Sequence, residues 1–169
     1  ITGVTPDYMV ARSWAIEYGD MFSEADVRNA TRNAIIGQTV IKNIFGGENP
    51  LGKTIRIKNL PFVVTGTLEA KGQGFDGRDQ DDTVLVPITT AQGKLFGNPF
   101  PGTVRFISVQ AKSAEVMDEA EEEIKQLLRQ RHRIQPGGDD DFTIRNLTAA
   151  AQTASAAAQA MSMMLGAIG

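Results

Sequence analysis

Residues 34–68 read AIIGQTVIKNIFGGENPLGKTIRIKNLPFVVTGTL, and the spacing of apolar side chains changes twice within them. Ala34, Ile35 and Ile36 form a continuous apolar run ending at Gly37, as a strand buried on both faces would. Val40, Ile41, Ile44 and Phe45 then fall on one face of a short helix, with Thr39 as its expected cap. Gly46 and Gly47 stop that helix, and Asn49-Pro50 turns the chain. From Thr54 the period becomes two: Ile55 and Ile57 face one way, Arg56 and Lys58 the other. Asn59 turns the chain again, and residues 62–68 return as a second strand. The stretch predicts strand, short helix and hairpin.

The same stretch contains Gly47-Glu-Asn-Pro-Leu-Gly52-Lys53-Thr54, a literal match to the phosphate-binding P-loop pattern. A working P-loop needs a strand before it and a helix behind its N–H groups. The predicted order here is the reverse. Pro50 removes one N–H, and Glu48 brings a negative charge towards the phosphates. The expected structure is a helix stop leading into a strand, with Lys53 in solvent. Gly72, Gly74 and Gly77 likewise match the dinucleotide glycine pattern, but Asp76, Asp79, Asp81 and Asp82 surround it and would repel a pyrophosphate. These carboxylates lack the spacing of a calcium loop. Residues 71–82 therefore predict a polar loop, mobile or held only by its neighbours.

The chain has 169 residues, with 41% hydrophobic content to build a core. The net charge of −3 disfavours a nucleic-acid partner. The absence of cysteine excludes disulfides and thiolate metal sites. No apolar run reaches the length of a membrane span. The opening at Ile1 and the apolar ending AMSMMLGAIG predict a segment cut from a longer protein.

Outward from the central stretch, residues 1–5 suit the end of a strand. Pro6 and Asp7 open a helical turn over residues 8–12, and residues 14–18 alternate as a strand. Ser23 and Asp26 have the spacing of a capping box. Residues 83–86 are a strand ended by Pro87, and Thr89 or Thr90 is the expected cap of a helix reaching Phe96. Asn98-Pro-Phe-Pro-Gly102 is rigid punctuation between lobes. Residues 104–111, VRFISVQA, predict a strand. Ser113 is the expected cap of the longest helix, to about Arg133, with Val116, Ala120, Ile124, Leu127 and Leu128 on one face. Acids fill its first half and bases its second, which complements the helix dipole. Residues 142–147 predict another strand. Thr148 is the expected cap of an alanine-rich helix that would continue to the end.

No catalytic, cofactor or metal residue emerges. His132 is the single histidine, set among arginines with no partner nearby in sequence. No serine sits in a nucleophile elbow, and Glu121, Glu122 and Glu123 fan around a helix instead of converging. The expected class is a non-enzyme with no cofactor.

Several phrases belong together: GVTPDY at Gly3, FSEADVRNA at Phe22, NPLGKTIRIKNLPFVVTG at Asn49, DQDD at Asp79, VPITTAQ at Val86, LLRQRHRI at Leu127 and DDFTIRN at Asp140. In this order they resemble the periplasmic core domain of MacB-type, FtsX-like ABC transporter permeases across nearly the whole chain. The resemblance implies an α+β fold. Residues 1–102 would be a mixed αβ lobe, residues 103–147 one porter-like βαβ half, and residues 148–169 a juxtamembrane stalk helix. The family's other porter half would precede Ile1. Force would pass through the stalk at Thr148, Ala149, Ala157, Met161 and Leu165.

At the level of the whole protein, the resemblance implies a homodimeric permease on the periplasmic side of the inner membrane. A cytoplasmic ATPase domain or subunit would drive it, and substrate would be guided to a periplasmic adaptor and an outer-membrane channel. A passive periplasmic scaffold is the alternative, and a nucleotide-binding enzyme using residues 47–54 is a further one.

Overall fold

The computed structural model describes residues 1–74, 77–97 and 102–147. The expected stalk helix, with Thr148, Ala149, Ala157, Met161 and Leu165, lies outside the described residues, as do Phe75, Asp76 and residues 98–101. The chain divides into two compact units, Ile1–Gln110 and Ala111–Gly169.

The first unit is built on a six-stranded mixed sheet. In chain order its elements are β1 (Thr2–Val4), α1 (Tyr8–Ala11), β2 (Ile16–Gly19), α2 (Glu24–Asn29), β3 (Asn33–Ile36), α3 (Gln38–Phe45), β4 (Thr54–Ile57), β5 (Leu60–Leu68), β6 (Val84–Pro87) and α4 (Ile88–Thr90), followed by a π-helical turn, Ala91–Phe96. The sheet order is β1-β6-β3-β5-β2, with β4 also paired to β5. β1 is parallel to β6 and β3 to β5, while the other pairs are antiparallel.

From Ala34 to Ile36, β3 is apolar because both its faces are covered. Ala34 and Ile36 pack with Val40, Ile41, Phe62, Val64 and Leu95 on one side. Ile35 packs with Met9, Trp14, Phe22, Val27 and Leu68 on the other. The β4–β5 hairpin matches its alternating sequence, with Ile55 and Ile57 buried and Thr54 and Arg56 exposed. Its turn uses Lys58 at φ 47° and Asn59 at φ 67°, the left-handed pair that a two-residue hairpin connection requires. Along β5 the register skips Thr65: Ala34 faces Val64, and Ile35 faces Gly66. This one-residue bulge turns the end of β5 over, so Phe62 and Leu68 serve opposite cores despite their even spacing.

Local chemistry explains the helix starts. Ser23 caps α2 as expected: its hydroxyl accepts from the Asp26 N–H at 3.2 Å, and Asp26 accepts from the Ser23 N–H at 2.8 Å. Three expected caps are corrected. α3 begins at Gln38 with Gly37 as N-cap, and the Thr39 hydroxyl instead donates to Asp79 at 2.6 Å. The helix after β6 starts at Ile88, directly behind Pro87. Thr89 donates to the Val27 carbonyl and Thr90 to the Thr31 carbonyl, so both threonines tie α4 to the α2 region.

In the second unit, α5 spans Met117–His132, with Val116 as N-cap and no side-chain cap bond, so Ser113 is not the expected cap. The strands expected at residues 104–111 and 142–147 are not formed. In 142–147 the sequence pattern persists, with Phe142 and Ile144 half-buried and Thr143 and Arg145 exposed. A strand exists only where a neighbour completes its ladder, and among the described residues neither segment has one.

Candidate functional site

β1 is an outer strand of the sheet, and it lies against a cleft of 720 Å³ within the first unit. Tyr8, Ile88, Ala91 and Phe96 line one part, and residues 103–108 line another. Gly3 brings strand and helix together, because a Cβ there would land on the Ala91 Cβ and 3.1 Å from the Ile88 Cα. Lys58 fixes the end of the π-helical turn. Its ammonium donates to the Leu95 carbonyl at 3.0 Å and sits 4.6 Å from the centre of the Phe96 ring. Across the cleft, Val104, Phe106 and Ile107 stay exposed, Ile107 by 67%. One carboxylate, Asp7, and one guanidinium, Arg105, accompany this apolar lining. Such a surface suits docking by apolar contact and backbone pairing, and its described residues carry no converging set of reactive groups.

The P-loop-like residues take the arrangement that the sequence predicts. α3 precedes them and β4 follows. Lys53 is not simply solvated. Its ammonium pairs with Glu48 at 2.9 Å and lies 5.3 Å from the Phe45 ring centre. The hydrogen bond from Lys53 holds the Glu48 carboxyl below its usual range. The lysine that would have met a phosphate is already neutralised by its own loop.

The acidic loop is more organised than its composition predicts. Asp81 is buried, and its two oxygens accept the N–H groups of Lys71 at 2.7 Å and Gly72 at 2.9 Å. Asp79 accepts from the Thr39 hydroxyl and from the Asp81 N–H at 2.8 Å, and these bonds lower its pKa, Thr39 first. These carboxylates are consumed in closing the loop, and the described residues hold no group of acids and histidines with metal-binding geometry. Four aspartates in a short run gave no sign of which would turn inward.

In the second unit, α5 buries none of its residues fully. Its C-terminus is clamped by the loop that follows. Arg129 engages Asp140 and the carbonyls of Gln135 and Gly138, each carbonyl at 3.1 Å. His132, expected to lack a partner, meets Asp141 at 2.7 Å and the edge of Phe142 at a ring separation of 5.9 Å. Basic residues closing the last turn are what the helix dipole favours.

Comparison with known proteins agrees with this architecture. The sequence model of the family described as the MacB-like periplasmic core domain matches residues 1–127. A macrolide export ATP-binding/permease protein MacB of Chlorobium phaeobacteroides is 39% identical over 167 residues, 98% of this chain and 24% of the relative. A pyoverdine export ATP-binding/permease protein PvdT of Pseudomonas entomophila is 38% identical, covering 92% of this chain and 23% of the relative. The chain thus spans about a quarter of the length of these relatives. Among solved structures, the periplasmic region of MacB from Actinobacillus actinomycetemcomitans superposes with a TM-score of 0.64 at 24% identity, covering 89% of this chain and 63% of that one. The extracellular domain of the ABC-type transporter YknZ from Gram-positive bacteria gives 0.59 at 22% identity, covering 85% and 68%. Both support the mixed α/β fold. Among the described residues no helix is long and apolar enough to cross a membrane.

Proposed function

Because this chain belongs to the MacB-like periplasmic core domain family, we propose that it is the part of an ABC transporter permease that carries ATP-driven motion to the periplasmic side and guides substrate outward. The observation that carries this reading is the family match over residues 1–127, joined to an outer strand and an apolar cleft suited to docking. In this reading the domain performs no chemistry and holds no cofactor. Residues 1–102 form the mixed lobe, residues 103–147 contribute a porter-like half, and residues 148–169 form the stalk. The whole permease works as a homodimer with a cytoplasmic ATPase. The substrate passes to a periplasmic adaptor and an outer-membrane channel.

The stalk gives the sharpest test. Residues 149–160 are mostly alanine, which favours a stiff helix with little apolar area to bind the core. Proline in a helix interior costs about 3 kcal/mol and interrupts the rod. Ala157→Pro in the full-length permease should abolish export, while ATP hydrolysis persists and the core domain stays folded. Thr148, Ala149, Met161 and Leu165 lie along the same proposed rod. Export at the wild-type rate in the Ala157→Pro protein would eliminate force transmission through the stalk.

A further inference from the structure

The end of α5 places the single histidine of the chain at a joint. His132 is the last residue of the helix, and its Nδ1 meets an oxygen of Asp141 at 2.7 Å. The Phe142 ring stands beside the imidazole, nearly perpendicular to it. Arg133 follows in the left-handed conformation, φ 57°, which glycine adopts freely and an arginine does not. Its N–H donates to the Gln130 carbonyl at 3.2 Å, and the Ile134 N–H donates to the Arg129 carbonyl at 2.9 Å. This strained turn is fastened by two side chains of the helix, Arg129 through Asp140 and His132 through Asp141.

The two fastenings differ in chemistry. Guanidiniums and carboxylates as a class keep their charge around neutrality, whereas an imidazole changes charge between about pH 5 and 8. The other charged groups on the elements that meet here are Arg129, Arg131 and Arg133 at the helix end, Asp139, Asp140 and Asp141 in the loop, and Arg145 beyond Phe142. All are guanidiniums or carboxylates, so His132 is the group of this joint that responds to pH near neutrality. The side chains of His132 and Asp141 are 40% and 62% exposed, so solvent reaches the pair without any opening of the fold. As an imidazolium, His132 gives Asp141 a charge-assisted bond and complements the negative end of the helix. As a neutral imidazole it keeps at most a neutral hydrogen bond and loses both attractions.

We propose that the His132–Asp141 contact is a pH-operated latch: charged His132 holds residues 134–142 against the end of α5, and loss of its proton frees them to move. The latch lies within the second unit and stands whether or not residues 148–169 act as a stalk.

The test is nuclear magnetic resonance of the whole chain, whose single histidine gives one ring titration to follow. The deciding readout is hydrogen exchange of the Ile134 amide between about pH 5 and 8, corrected for the intrinsic pH dependence of exchange. Its protection should fall by about threefold or more as His132 loses its proton, the size expected of an ion pair that solvent reaches. The Ile124 amide, in the middle of α5, should not follow. In Asp141→Asn the ring should still titrate while Ile134 protection no longer changes with it, and His132→Gln should remove the change outright. Circular dichroism checks that the variants fold. Should either fail to fold, sodium chloride at about 1 M on the wild-type chain replaces it and should shrink the change, since salt screens exposed charges. Ile134 protection that stays constant while the ring titrates, or that changes as much in Asp141→Asn or in high salt, would overturn the latch.

Discussion

At the scale of the residue, the informative side chains are those that close hydrogen bonds between segments. Asp26 serves three purposes at once: it completes the α2 capping box with Ser23 and accepts from Thr31 and Asn33, both at 3.1 Å. The Ser23 bonds, foremost, hold its carboxyl below the ordinary value of 3.8. A carboxyl whose folded pKa is depressed stabilises the fold above its unfolded pKa, and that stability drains away as pH falls through the lower folded value. Asp26→Ala should therefore cost about 1–2 kcal/mol at pH 7. In urea melts the gap from wild type should narrow as pH falls below the ordinary carboxyl value of 3.8. A gap equal at pH 7 and pH 2 would refute the charged cap. The Ser23–Asp26 spacing was legible in the sequence because capping acts within one turn. The bonds of Thr89, Thr90 and Asp81 were not, since their partners are set by how distant elements meet.

At the scale of the element, the pieces with a strong local period form where expected: β3, α3 and the β4–β5 hairpin. Errors fall where local pattern and partner disagree. Residues 104–111 have a strand's composition but no ladder among the described residues. The start of α3 shows the converse. Gly37 takes the cap position because the chain there passes against the acidic loop, and a Cβ at Gly37 would overlap the Asp81 carbonyl oxygen and lie 3.0 Å from its carbon. Its φ of −83° suits any residue, so the glycine is kept for space and not for backbone freedom. Gly37→Ala should destabilise the first unit by about 1–3 kcal/mol through overpacking. Thermal melting checks this, and an unchanged midpoint would show that the loop moves aside at little cost.

At the scale of the whole molecule, a mixed sheet covered on both faces gives the first unit its core, and the resemblance read from ordered sequence phrases agrees with the family to which the chain belongs. Among the described residues, α5 and its unladdered flanks follow a different rule, since their burial depends on partners. Hydrogen exchange should separate the two behaviours. Amides of Ile35, Ile36 and Val64 should be protected far beyond those of residues 104–110. Equal protection would mean that residues 104–110 are laddered in solution. The pairing of β1 with β6 has a consequence for how the domain is made. Thr2 aligns with Leu85, so the outermost strand waits for about 80 further residues before its partner exists. At the pace of protein synthesis that is roughly 4–16 seconds. Throughout that interval the nascent chain displays Val4 and its neighbours unpaired, so the sheet is sealed at this edge only when the β6 segment has been synthesised.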